Sequence, residues 1–181
     1  MVSAPSSQAT INFAPPPEHV EAASICCLKF EKEIVPRLRY NSVRADKKLT
    51  PTEHSRITRT FYLIWRLLQE TQSQHSSIQE YVARLPPTEV LHIRELAIFM
   101  CNMMAAEEHR ELARLMGYRE DGALTQRMID LCTSGDAYFA KSGVIGIHQP
   151  EYAPLGLGLL LDDFQEDYVE PQVKLYLRYS N

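Results

Sequence analysis

Residues 50–68 read TPTEHSRITRTFYLIWRLL. Thr50 places a hydroxyl at the N-cap position. Pro51 suits the first helical position, where a missing N–H costs nothing, and Glu53 can reach back to the Thr50 amide. Beyond this start, Ile57, Phe61, Ile64 and Leu68 recur every three or four residues, with Tyr62, Trp65 and Leu67 widening the stripe. Arg56, Arg59 and Arg66 fall off its centre. The spacing predicts an amphipathic helix of about five turns.

Upstream, Val20, Ala23, Cys27 and Phe30 or Ile34 keep helical spacing, which predicts a helix over about Glu18 to Val35. Pro36 is expected to stop it, and the polar, basic stretch 37–49 reads as a loop. Residues 1–17 are rich in Ser, Ala, Thr, Gln and Pro and end in Pro15-Pro16-Pro17. They read as a disordered arm, with too little to bury.

Downstream, Gln69 to Ser76 is polar and reads as a loop. Ser77-Ile78-Gln79-Glu80 repeats the capping pattern and opens a short helix closed by Pro86. Pro87-Thr88-Glu89 starts the next helix, and residues 90–104 are apolar nearly all round, as in the buried centre of a bundle. That pattern runs on to Gly117, a natural C-terminal cap, either as one helix or as two with a break near Ala105. Asp121 can cap a helix carrying Leu124, Met128, Leu131 and Cys132, with an interruption expected at Ser134-Gly135. Residues 137–140 read as a further turn ending at Gly143, and 143–154 as irregular. Residues 155–161 read as a buried helix whose glycines permit close contact, and 173–179 as a terminal helix. The two Pro-Thr-Glu starts lie 36 residues apart. No third copy follows, so a solenoid, which needs several units, is not expected.

Composition bounds the rest. The chain has 181 residues, 45% hydrophobic and 23% charged, enough to bury a core. No run approaches the ~18 apolar residues of a membrane span, and the first residues lack a secretory pattern. A net charge of -4 argues against a dedicated nucleic-acid binder. Four cysteines without a CxxC (Cys26, Cys27, Cys101 and Cys132) read as reduced thiols of an intracellular protein. The expected fold is all-α: a compact, irregular helical bundle over residues 18–181 behind the arm.

Chemistry-bearing patterns are sparse. Glu89 and His92 form a single Glu-x-x-His, where di-iron bundles need two copies and further carboxylates. Glu107-Glu108-His109 reads as a solvated helix face, and no zinc spacing occurs. There is no Gly-x-Ser-x-Gly, Cys101 lies in an apolar pattern, and Leu155-Gly156-Leu157-Gly158 lacks the rest of a phosphate loop. Neither catalytic nor metal residues are expected, nor a cofactor. Charge, however, is uneven: ten basic and four acidic residues from Lys29 to Arg66, ten acidic and four basic from Glu120 onward. Either these halves face each other or solvate the surface, or Arg37, Arg39, Arg56 and Arg59 offer a basic groove to an acidic partner or RNA.

Leu49-Thr50-Pro51-Thr52-Glu53, followed by Arg56-Ile57 and Arg59-Thr60-Phe61-Tyr62, resembles a segment of a large group of uncharacterised fungal helical proteins. Pro87-Thr88-Glu89 through Phe99 is similar to a second segment of that group, and Gly156 to Leu160 to a later one. The likeness covers about residues 45–165, and departs from the group's pattern over Phe61-Tyr62-Leu63-Ile64-Trp65-Arg66-Leu67-Leu68. It implies an all-helical intracellular protein without an assigned activity. Some members are classed as F-box-like, and Leu85-Pro86-Pro87-Thr88-Glu89-Val90-Leu91-His92-Ile93 resembles the opening of an F-box with one extra residue. The expected function is a non-enzymatic protein-interaction or scaffold role, with another protein as partner. An F-box-like ubiquitin-ligase adaptor is the first alternative. A small helical enzyme using Glu89, His92 or residues 107–109 is the second.

Overall fold

The cap at Thr50 forms as its residues require. The Glu53 amide donates to Thr50 Oγ1 at 3.2 Å and the Thr50 amide donates to Glu53 Oε2 at 2.8 Å. It opens the longest helix in a computed structural model that describes residues 16–39, 47–73, 77–120, 122–140, 158–165, 169–170, 173–174 and 177. The fold is all-α, with no strand among the described residues. In chain order the helices are α1 (Pro17–Glu33), α2 (Val35–Leu38), α3 (Pro51–Ser73), α4 (Ile78–Val82), α5 (Pro87–Asn102), α6 (Ala106–Leu115) and α7 (Ala123–Ala140). A 3-10 turn spans Asp162–Phe164. No helix among the described residues is long and apolar enough to cross a membrane.

The nearly all-apolar helix takes the central place. α5 packs against both α3 and α7, and buries Val90, Leu91, Ile93, Leu96, Ala97, Phe99 and Met100. α1 packs on α3 and α6, and Phe30 meets Phe99 edge-on with ring centroids 5.0 Å apart. The α3 stripe contributes Ile57, Phe61, Ile64, Leu67 and Leu68 to the same interior. Each such side chain stabilises the fold by about 1.5–3 kcal/mol on burial.

Several boundaries depart from the sequence expectations. Pro36 does not end helical structure. α1 stops at Glu33, and Pro36 then occupies the first turn of α2, where its lost N–H has no intrahelical acceptor to miss. α3 continues through the polar residues after Gln69, supported by Thr71 Oγ1 bonding the Leu67 carbonyl at 2.8 Å and by the Arg66–Glu70 pair at 2.7 Å. Of the two readings offered for residues 90–116, the break near Ala105 is correct. Glu108 Oε2 accepts the Ala105 amide at 2.9 Å and starts α6. Gly117, at φ +84°, ends it with a conformation that glycine adopts without penalty.

Ser134-Gly135 does not interrupt α7. Both residues are buried in one continuous helix, and a Cβ on Gly135 would stand 3.3 Å from Arg94 Cβ of α5. Here glycine permits close helix approach instead of breaking a helix. The stretch expected as a buried helix over 155–161 is, in its described part, a turn through Gly158 to Leu161 that buries Leu159, Leu160 and Leu161. At the C-terminal end, Glu170, Val173, Lys174 and Leu177 are helical. The expected arm, apart from Pro16 and Pro17, and the irregular stretch 143–154 lie outside the described residues, as does Asp121.

Candidate functional site

The glutamate that caps α3 does more than cap it. Glu53 is fully buried, and its Oε1 accepts Arg39 Nη2 at 2.5 Å and the Asp162 amide at 2.8 Å. Arg39 also donates to Asp163 Oδ2 at 2.9 Å and to the Lys48 carbonyl at 2.7 Å. Arg56, one turn along α3, donates to the Leu160 carbonyl at 2.6 Å and to Asp162 Oδ1 at 3.0 Å. Thr50 Oγ1 completes the set with a 2.8 Å bond to Asp162 Oδ2. Together these bonds strap residues 160–163 across the start of α3. The charge asymmetry of the sequence is thus partly internal: basic residues of the first half meet Asp162 and Asp163.

Beneath the strap, α5 presents two ionisable groups one turn apart. His92 is buried beside Gln165, and its pKa is lowered to about 4, first by burial and then by the nearby Arg56 and Arg59 charges. Its Nε2 has no hydrogen-bond partner. Glu95 is more deeply buried, and burial raises its pKa well above the ordinary carboxylate value. The backbone of Leu159 and Leu160 adjoins that carboxyl and draws it back part of the way, but neither oxygen completes a well-formed hydrogen bond. At pH 7 the His92 ring is therefore neutral, and burial favours the protonated form of Glu95.

Next to the strap, an open groove of about 720 Å³ runs between α3 and the start of α5. Pro51, Thr52, Ser55, Leu63, Pro86 and Thr88 supply an apolar and hydroxyl-bearing lining, and Arg56, Arg59, Glu89 and His92 border it as well. Arg59 spans the two helices through a 2.6 Å bond to Glu89 and keeps its side chain 78% exposed.

The four candidate arginines therefore separate. Arg56 and Arg59 share the groove. Arg37 lies on α2, exposed and paired with Glu33 at 3.3 Å. Arg39 is a correction: its side chain is 2% exposed and held by Glu53 and Asp163, so it is not open to a partner. Of the residues considered for catalysis, Glu89 and His92 both border the groove, whereas residues 107–109 do not. Glu89 is paired with Arg59. Glu108 binds Lys29 at 2.8 Å, tying α6 to α1, while His109 meets Thr125 at 3.4 Å. Among the described residues, no group of three His, Cys, Asp or Glu side chains stands together as metal ligands do. The four cysteines are free, and burial raises each thiol pKa, that of Cys132 to about 12.

Glu53 as a charge node, the strap aspartates and Glu95 were not among the sequence candidates. For Glu95 a signal existed: a carboxylate inside an otherwise apolar helix needs a special environment. The chain matches no family model, no curated protein and no solved structure.

Proposed function

We propose that the chain is a non-enzymatic, intracellular protein-interaction module whose partner docks in the groove between α3 and the start of α5. The observation that carries this reading is the groove itself. It holds apolar surface at Leu63, Pro51 and Pro86, hydroxyls at Thr52, Ser55 and Thr88, and an exposed guanidinium at Arg59. An arginine over apolar ground is what protein interfaces favour, and the hydroxyls at its edge can add hydrogen bonds. Of the ionisable groups with perturbed pKa beside it, His92 borders the groove while packing against Leu159 and Gln165, and Glu95 is buried beneath the strap.

The F-box-like alternative gains less support. Val90, Leu91 and Ile93 of that segment are 1%, 0% and 1% exposed and belong to the core, while Leu85 is partly buried against it. They present no face to a ligase subunit in this packing.

The test places a photo-reactive amino acid at Ser55 or Thr88 in the full chain within its native cell, with Glu80 on the exposed face of α4 as control. One discrete adduct formed from both groove positions, absent from position 80 and lost on Arg59→Glu, is the expected result. Adducts that are equal at all three positions, or indifferent to Arg59→Glu, overturn the proposal.

A further inference from the structure

Away from that groove, α7 and the start of α4 border a second open pocket of about 410 Å³, lined by Ser77, Ile78, Arg127, Asp130, Thr133 and Ser134 among others. We propose that this pocket binds a phosphate-class oxyanion and selects it over sulfate.

The argument begins with Arg127. Of the four described arginines that are not exposed, three have a carboxylate partner: Arg39 with Glu53, Arg56 with Asp162 at 3.0 Å, and Arg94 with Asp136 at 2.5 Å. Arg127 is the fourth. Its Nη2 donates to the Thr71 hydroxyl, the Tyr118 hydroxyl lies nearby, and its buried Nε has no partner. Hydroxyls hydrogen-bond a guanidinium but do not neutralise it. A cation partly removed from water, with no carboxylate in direct contact, carries a desolvation penalty that a bound anion would offset. Guanidinium is also the side chain best matched to the geometry of phosphate oxygens.

The surrounding groups fit the same ligand. Ser77 Oγ accepts the Glu80 amide hydrogen at 3.2 Å, which leaves its own proton to donate into the pocket. Ser134 brings one more hydroxyl from α7, whereas Thr133 spends its proton on the Ile129 carbonyl at 2.9 Å. Asp130 is the discriminating member. It lies three residues beyond Arg127 on the same helix, and its Oδ1 accepts the Gln126 amide at 3.1 Å. A carboxylate in an anion pocket repels an anion that has no proton to give. Phosphate is still partly protonated near neutral pH, with a second pKa of about 6 in its esters, so at small cost it holds the proton it needs to donate as O–H to Asp130. Sulfate carries no proton there. Arg127 therefore supplies the attraction and Asp130 the choice.

The test is a titration of the isotopically labelled full chain, followed by amide NMR, with inorganic phosphate, phenyl phosphate and sulfate in separate arms at constant ionic strength. Saturable shifts confined to residues 77–79 and 127–137, with sulfate at least ten-fold weaker than phosphate, are the expected outcome. Tighter binding of phenyl phosphate than of inorganic phosphate assigns an ester as the natural source, and the reverse order assigns the free ion. Arg127→Gln should abolish the shifts. Because Arg127 also ties α7 to Thr71 of α3, Asp130→Asn provides a second variant, which should admit sulfate to within about two-fold of phosphate. No saturable shift in any arm, equal binding of phosphate and sulfate by the wild-type chain, or unchanged selectivity in Asp130→Asn overturns the proposal.

Discussion

Arg39 and Asp163 stand 124 residues apart in sequence and are joined by a 2.9 Å hydrogen bond. Their contact, with Glu53 between the first and second halves of the chain, links the end of α2, the start of α3 and the strap in one charged node. Arg39 and Glu53 are 2% and 0% exposed at their side chains, whereas Asp163 is 27% exposed. Removing one member of a buried pair leaves the other charged and without compensation, which costs about 3–5 kcal/mol. Arg39→Ala should lower the urea midpoint accordingly. Asp163→Ala should cost clearly less, since water reaches Asp163, and Arg59→Ala in the exposed Arg59–Glu89 pair should cost under about 1 kcal/mol. Equal losses for Arg39→Ala and Arg59→Ala in denaturation curves would show that the node is not buried as described.

His92 makes the fold sensitive to acid. In the folded chain its pKa is about 4, against 6.5 without the surrounding structure. The lowered value means that the folded state favours the neutral ring. This contribution is fully present above pH 6.5, diminishes as the pH falls, and is lost by about pH 4. The full loss is roughly 3 kcal/mol. Arg56 and Arg59 strengthen the effect by repelling the imidazolium, and the adjacent Gln165 and Leu159 carbonyl moderate it. Glu108 and Glu111, whose pKa values are lowered by Lys29 and Arg114, also weaken the fold in acid. The informative measurement is therefore the stability difference between wild type and His92→Gln from pH 7 to pH 4. It should change in favour of the variant below pH 6.5, and a difference independent of pH would remove His92 from the account.

Glu95 acts in the opposite direction. Burial raises its pKa well above 4.5, so the folded state prefers the protonated acid. Its contribution is complete below the unfolded-state pKa and declines as the pH rises from there towards the folded value. Glu95→Gln keeps the shape and removes the proton equilibrium. The stability of the variant relative to wild type should rise as the pH climbs above 4.5, the ordinary value from which Glu95 is shifted. Equilibrium unfolding at three pH values checks this, and a variant that is less stable at every pH would mean that the carboxyl makes a bond the amide cannot replace.

The helical framework was largely legible because its signals are local. Thr50 and Glu53, Ser77 and Glu80, and the stripe from Ile57 to Leu68 each carry their reason within a few residues. The strap was not legible, because Asp162 and Asp163 meet Arg39, Thr50 and Arg56 across more than a hundred residues, and no spacing encodes that. The charge asymmetry indicated that such pairs could exist without saying which. Arg39 was misplaced for the same reason: a basic loop looks exposed until its counter-charges are located. Ser134-Gly135 misled because glycine serves both as a helix breaker and as the residue that lets helices touch, and only the packing against Arg94 decides.

Gly158 offers the last prediction, since it shows why the strap turns where it does. A Cβ at this position would lie 2.9 Å from the Phe164 ring, closer than non-bonded carbons tolerate. The Leu161 amide bonds the Gly158 carbonyl at 3.0 Å, and the turn brings Phe164 back over the glycine. Leu159, Leu160 and Leu161 are buried between these two residues, so a displaced turn disturbs a well-packed interior. Gly158→Ala should destabilise the chain by about 1–3 kcal/mol, the usual cost of overpacking. If the clash with the ring is the cause, Phe164→Ala should suppress it, and the double variant should be less unstable than the sum of the single ones. A double-mutant cycle by chemical denaturation measures this coupling. Additive losses would place the need for glycine in the backbone and not in the Phe164 ring.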